Sequence, residues 1–477
     1  MGEEIRHSHF NAQDFERYEK RLLEETSLLR ELFQQHGFAK SHPVSGFELE
    51  AWLVDAEFHP APLNEAFLKA FNNPLASPEL ASFNIEVNTE PRSLQGHVFS
   101  AMHQSLDATW RACQQTAESL HAKVVMCGIL PSLMNEDLSL ANMSGMLRYR
   151  ALNREVLHRR KGKPLTLDIN GEEHLKVTHR DVMLESAATS FQIHIQINQE
   201  QAARFYNASQ IICGPIIALS ANSPFLFGKN LWDETRIPLF EQAVAVGGYE
   251  GAAFGPIHRV TFGSGYIRKE LLECFQENID HYPILLPETM QDPADRFPHV
   301  RLHNGTIWRW NRPLIGFDEE GRVHLRIEHR VVPAGPTTID AVANAAFYYG
   351  LVSALVNHEI PPETQLGFSD VRDNFYDCAR HGLRATVLWC DKKRHNVHDL
   401  LVNELLPMAY DGLLMLGIAE SDCDEYLKVI QQRLQARTNG STWQRAYINK
   451  HGKDMFAMTA SYYEQQESGN PVHEWKV

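Results

Sequence analysis

The sequence predicts an α+β fold, in which short, half-buried antiparallel strands form a sheet enclosed by helices. Three observations lead there. Four separated segments alternate apolar and polar residues with the period of two of a strand that buries one face. Several longer segments space their apolar residues for helices instead. No Ser/Gly-rich linker, repeat or low-complexity tract divides the 477 residues, and 43% hydrophobic residues suffice for a large core. One continuous domain over residues 1–477 is therefore expected, mostly helical from about residue 338.

The elements follow in chain order. Between Asn11 and His36 the apolar positions Phe15, Leu22, Leu23, Leu28, Leu29, Leu32 and Phe33 recur among Glu, Arg and Lys, which predicts an amphipathic helix. The first alternating segment, Gly46–Val54, sets Phe47, Leu49, Ala51 and Leu53 on one face and Glu48 and Glu50 on the other. The second, Phe83–Glu90, sets Phe83, Ile85 and Val87 against Asn84, Glu86, Asn88 and Glu90. A helix is expected over Val98–His121, and another over Glu200–Ala221. Between those two, Phe191–Asn198 alternates Phe191, Ile193, Ile195 and Ile197 with Gln192, His194, Gln196 and Asn198. The apolar stretch Ile211–Phe227 is broken by Gly214, Pro215 and an Asn-Ser-Pro turn, short of the roughly 20 clean residues a membrane span requires. It reads as a buried helix with a tight exit. The fourth alternating segment, His324–Val331, puts His324, Arg326, Glu328 and Arg330 on one face. Helices are then expected over Thr338–Asn357 and Asn396–Arg437, the latter interrupted at Pro407 and Gly412.

Taken singly, each polar strand face could be the wet side of an antiparallel sheet. Taken together they contain no Lys and hold Glu, His, Gln, Asn and Arg, which points to one shared functional face. Carboxylates on strands about 5 Å apart repel one another unless a cation lies between them. Glu48, Glu50, Glu86 and Glu328 therefore ask for a metal, and hard oxygen donors favour Mg²⁺ or Mn²⁺, with His194 as a nitrogen ligand. A zinc site would draw on Cys and His rather than on four carboxylates. Magnesium in turn commonly bridges nucleotide phosphates, and Arg330 stands where it could reach a transferring phosphoryl.

Other features narrow the classes. A formal net charge of −15 argues against nucleic acid or an anionic membrane as partner. The short basic runs His158–Lys163 and Lys392–His395 read as solvated loops, since neither is interleaved with aromatics. Seven scattered cysteines without a C-x-x-C pair suit a reducing compartment, and the opening MGEEIRHSHF resembles neither a signal peptide nor a myristoylation site, so the cytoplasm is expected. No Walker loop, nucleophile elbow, H-E-x-x-H helix or kinase catalytic loop occurs, and the glycine pairs Gly247-Gly248 and Gly263-Ser-Gly265 lack the rest of any nucleotide fingerprint.

With those residues in view, the sequence resembles the second family of glutamate–cysteine ligases, the carboxylate–amine ligases with a glutamine-synthetase-like fold. The resemblance is carried by Gly46-Phe-Glu-Leu-Glu50, the Glu86 strand, Gln192-Ile-His194, Ala218-Leu-Ser-Ala-Asn-Ser-Pro224 with Arg236 downstream, Arg326-Ile-Glu-His-Arg330 and Arg437-Thr-Asn-Gly-Ser-Thr-Trp-Gln444. These motifs run in order over most of the chain. The resemblance implies a sheet curled into a funnel, like that of glutamine synthetase and the guanidino kinases, with ATP and amino acids entering from opposite ends and metal ions between. It implies Glu48, Glu50, Glu86, His194 and Glu328 as the metal shell, and Arg330 and Arg236 as contacts to phosphate. Gln192 stands where the family often has a first histidine. The run His303–Pro313 looks like the stretch facing the substrate amino acid, with Arg309 and Arg312 able to hold an α-carboxylate bidentately.

The reaction so implied converts a carboxylate, most simply the γ-carboxyl of glutamate, to an acyl phosphate with ATP and then to an amide with cysteine or another amine, as in glutathione biosynthesis. Three other classes remain open at this point: a phosphotransferase of the same general fold, such as a guanidino kinase, a non-catalytic relative that binds nucleotide or amino acid, and a structural protein rich in tryptophan and histidine, which leaves the acidic strand faces unexplained. The residues do not fix the oligomeric state.

Overall fold

The computed structural model describes residues 4–246 and 258–477. The pair Gly247-Gly248 lies outside the described residues. The α+β class expected from the sequence is what forms: a curled antiparallel sheet flanked by helices.

Eight strands make the sheet: β1 (Val44–Val54), β2 (Ala76–Pro78), β3 (Asn84–Asn88), β4 (Arg92–Ser93), β5 (Lys123–Val125), β6 (Phe191–Ile197), β7 (Asn311–Phe317) and β8 (Val323–His329). Their order is β7-β8-β6-β1-β3-β2, while β4 and β5 pair with the two ends of β1. The four alternating segments are thus the adjacent strands β8, β6, β1 and β3, every pairing antiparallel. The register sets Glu50 opposite Glu86, Glu48 between Gln192 and Asn88, and His194 between Gly46 and Glu328. Because side chains alternate, this register puts the acidic and basic residues of all four strands on one face.

The other face is apolar. Phe47, Leu49, Ile85, Val87, Phe191, Ile193, Ile195, Leu325 and Ile327 are buried in one core. That core also contains the helix α5 (Thr338–Asn357), which has the length and composition to cross a membrane but 94% of whose apolar window is buried inside the chain. Tyr349 of α5 donates to the carbonyl of His194 at 2.7 Å, and Tyr348 stacks on His329 at 4.4 Å, so the helix fixes β6 and β8 from behind. Arg433, on the helix α7 (Glu420–Gln435), closes the bundle with buried bonds to Asp340 at 2.7 Å and Asn344 at 2.6 Å.

The remaining helices largely follow their apolar spacing: α1 (Ala12–Gln34), capped by Asn11 and Asp14, and α2 (Val98–Ser119). Two expectations fail for backbone reasons. The single helix expected over Glu200–Ala221 is two, α3 (Ala202–Ile211) and α4 (Cys213–Ser220), because Pro215 has no N–H to donate back to Ile211. Pro407 and Gly412 do not interrupt the later helix α6 (Leu406–Met415). A π-helical stretch over Leu401–Leu405 admits Pro407 in the first turn. Gly412 lets α6 cross α5 at Gly350, where an added Cβ would stand 1.9 Å from the Gly350 carbonyl oxygen. The helix stops at Gly417, which takes the left-handed φ of 76° that a non-glycine residue resists.

Candidate active site

The polar face of the sheet forms the floor of a cavity of about 240 Å³. Its floor carries Glu48, Glu50, Glu86, Gln192, Arg312, Arg326, Glu328 and Arg330. Glu48, His194 and Glu328 form the tightest cluster: one donor atom from each lies within 4.8 Å of the others, with His194 Nε2 3.1 Å from Glu48 Oε1 and 4.0 Å from Glu328 Oε1. The His194 residue is 5% exposed, and the 3.1 Å approach of its Nε2 to Glu48 is not a well-aligned hydrogen bond. Two carboxylates and a buried imidazole at this spacing fit a divalent cation.

Glu50 and Glu86 face each other one strand over. Glu50 accepts from the Ser190 amide at 2.6 Å, the Ser190 hydroxyl at 3.0 Å and Gln192 Nε2 at 2.8 Å, while Glu86 accepts from Asn88 Nδ2 at 2.9 Å. Gln192 links two sides of the site: its amide nitrogen holds Glu50 and its oxygen accepts from Arg330 at 2.6 Å.

Glu328 has the opposite surroundings. Arg312 binds it bidentately at 2.8 and 2.9 Å, and Arg330 adds a third bond at 2.9 Å. The charge states follow. Burial opposes ionisation of Glu328, but Arg312 and Arg330 outweigh it and hold the carboxyl well below the usual range. Burial likewise opposes ionisation of Glu48, whose carboxyl the neighbouring His194 nevertheless holds well below that range. Glu50 is pushed up to about 7 by burial and by Glu79. Glu86 is raised well above the ordinary range by burial and then by Glu48 and Glu79.

Two of these carboxylates escaped the sequence reading. Glu79 follows β2, too short a strand to alternate visibly, and Glu185 lies on a 3₁₀ turn, Met183–Ala187, just before β6. Both line the cavity beside Arg148 and Tyr149, and burial with Glu79 and Glu50 nearby lifts Glu185 to about 8. Arg326 was visible on its strand face but given no role. It lines the cavity beyond Glu328, opposite Leu314 in the register, and forms no ion pair among the described residues.

Two arginines expected in contact with ligands stand elsewhere. Arg236 does not line the cavity: it is bonded to Glu234 at 3.2 Å and to the backbone carbonyls of Arg330 at 3.2 Å and Val331, with its guanidinium over the Trp310 ring. Glu234 is in turn held by the Asn222 amide at 2.8 Å and the Ser223 hydroxyl at 2.6 Å. The Ser-Ala-Asn-Ser-Pro segment thus braces the backbone under Arg330. Arg309 bonds outside the cavity, to Glu277 and Asn278 at 2.6 Å each, from a separate short strand, Trp308–Arg309, that pairs with Val260–Thr261 and not with the main sheet.

The profile of glutamate–cysteine ligase family 2 matches residues 44–470. The chain belongs to this family. Membership places it among the carboxylate–amine ligases, and the matched span contains all ten residues singled out from the sequence. Among solved structures, the glutamate–cysteine ligase of Francisella tularensis in complex with AMP is similar, at 10% identity and a TM-score of 0.54, over 91% of this chain and 90% of that one. A bifunctional glutathione synthetase from Pasteurella multocida aligns at 11% identity and a TM-score of 0.48, over 93% of this chain and 55% of that one. At 10% identity the likeness to the Francisella tularensis enzyme is one of fold. No curated sequence matches the chain.

Proposed function

We propose that this family member is an ATP- and magnesium-dependent ligase that activates the γ-carboxyl of glutamate and joins it to cysteine or another amine. The observation that carries the reading is the single cavity in which Glu48, His194 and Glu328 cluster beside Arg330 and Arg312. Glu48, His194 and Glu328 would hold one ion, and Glu50, Glu86 and Glu79 supply donors for another. Magnesium bound there supplies charge neutralisation for the phosphates of ATP.

The chain's own residues perform the rest. Arg330 is anchored at both ends, by Gln192 and Glu328 at its head and by Arg236 at its backbone, so its guanidinium is preorganised to meet the phosphoryl as it moves to the substrate carboxylate. Arg312 is the better placed of the two candidate carboxylate contacts, being in the cavity where Arg309 is not. The resulting acyl phosphate has phosphate as leaving group, and the amine displaces it. The cavity encloses both steps, which limits hydrolysis of the intermediate. Arg236 acts by positioning Arg330, in place of the direct phosphate contact expected from the sequence.

The test is a screen for ADP and phosphate release with glutamate and a panel of amines, with product mass spectrometry. An amide product with stoichiometric ADP supports the reading, whereas a stable phosphorylated product would make the protein a phosphotransferase. No ADP with any glutamate–amine pair would remove glutamate as donor.

A further inference from the structure

A second cavity, of about 1210 Å³, shares no lining residue with the first. It is built by the basic run that reads from sequence as a solvated loop. The helix Leu147–Arg159 ends there in a tight turn, with Lys161 and Gly162 at positive φ, and the run faces Arg259 and His281 across the cavity. Arg259 is 1% exposed, yet its guanidinium bonds only neutral oxygens: the Thr306 carbonyl at 2.9 Å, the Thr306 hydroxyl at 3.1 Å and the Pro283 carbonyl. Arg159 donates to the next carbonyl, that of Ile284, which sets the two guanidinium groups side by side. The Nε atoms of both are buried without a partner.

Counter-charge is scarce among the described residues of the site. Among the described residues no ion pair involves Arg159, Arg160, Lys163 or Arg259, and Glu155 is the one carboxylate lining the cavity. Burial, with Arg159 adjacent, pushes Arg259 down to about 9, the mark of a cation short of anions. A chain with 60 acidic residues against 45 basic ones does not lack carboxylates to place here. Burying a guanidinium without a counter-ion is costly, and its planar fork suits phosphate oxygens.

We propose that this cavity is an anion site, distinct from the sheet cavity, that binds a phosphate-bearing small molecule. Arg259 and Arg159 form its floor and His158 and Lys163 its rim. Thr306 connects it to the chemistry, since this residue accepts from Arg259 and also lines the sheet cavity. Occupancy of the anion site therefore bears on the wall of the other.

Calorimetric titration with sodium pyrophosphate at constant ionic strength, with EDTA present, tests this on three proteins: the wild type, Arg330→Met, and the double variant His158→Glu/Lys163→Glu. Both rim residues are exposed, so the double variant keeps its fold, checked by circular dichroism. Wild type and Arg330→Met are expected to bind one pyrophosphate with affinities within twofold, and the double variant at least tenfold more weakly. Absence of binding to wild type, loss in Arg330→Met, or unchanged binding in the double variant would each overturn the site. Citrate binding as tightly as pyrophosphate would overturn its assignment to phosphate.

Discussion

Glu328 and Glu86 share one sheet face and one residue type, yet they live in opposite electrostatic worlds. Glu328 meets two arginines through three hydrogen bonds and stays ionised. Glu86 meets Glu50 across the strand, with Glu48 and Glu79 close by, and holds its proton far above the usual range. One end of the cavity thus has an ion-pair network finished by the protein's own arginines, with Glu328 still clustered with Glu48 and His194, and the other is a set of carboxylates short of cations. The difference shows where the protein alone completes the site and where it leaves room for a ligand.

The largest effect is expected from breaking the finished end. Glu328→Gln leaves Arg312 and Arg330 without their carboxylate, a loss of about 3 kcal/mol for a buried pair. Turnover should fall on the order of 10³-fold, the scale of losing one preorganised charge at a reacting group. Circular dichroism should still report the native fold. Wild-type rates in this variant would remove Glu328 from the machinery.

The unfinished end should respond to pH and metal. Burial and neighbouring carboxylates push Glu50 up to about 7 and Glu185 up to about 8, and raise Glu86 well above the ordinary carboxylate range. Because these folded-state values exceed those of the unfolded chain, the metal-free fold binds extra protons, and its stability falls as pH rises from about 5 through 8. Magnesium requires the ionised carboxylates, so its affinity should rise over the same window and its binding should release protons. Calorimetry at pH 7 in buffers of different ionisation enthalpy measures that release; zero protons would mean that the carboxylates are not the ligands.

Glu86→Gln sharpens the contrast, since it should have the opposite sign to Glu328→Gln on stability. At pH 8 the folded chain must keep on Glu86 a proton that the unfolded chain has released, a cost that the uncharged glutamine amide avoids. The metal-free variant should therefore melt higher than wild type at pH 8 while losing magnesium-dependent activity. A lower melting temperature would show that Glu86 is already compensated.

The sequence disclosed the half of this contrast that alternation can encode. Period-two patterning placed Glu48, Glu50, Glu86, Gln192, His194, Glu328 and Arg330 on one face, and the strands did assemble side by side. Patterning says nothing of partners, which come from register and from residues outside long strands. Hence Glu79, just after a three-residue strand, and Glu185, on a 3₁₀ turn, escaped notice, and Arg236 and Arg309 received ligand contacts although tertiary packing pairs them with Glu234 and Glu277. The helix boundaries misread at Pro407 and Gly412 have the same origin: a neighbouring helix, invisible locally, decides what a glycine is for.

The smallest effect is expected at the apolar margin of the acidic end, where Ile5 enters the cavity with Leu80, Tyr149 and Leu152. The segment is tied down on both sides of Ile5. Glu4 accepts from the Arg148 amide at 3.0 Å, and His7 bonds Glu288 through its amide at 3.2 Å and its ring at 3.0 Å. Ile5 is 2% exposed, so its side chain is a wall and not a surface residue. Ile5→Ala enlarges the cavity without touching a charged group, and a few methylene groups of room correspond to about tenfold in discrimination between substrates. The ratio of kcat/KM for bulky over small amines should rise by about that factor, with kcat for the best amine within twofold of wild type and a stability loss of about 1 kcal/mol. An unchanged ratio across the panel would place the amine elsewhere, toward the Arg326 end of the cavity.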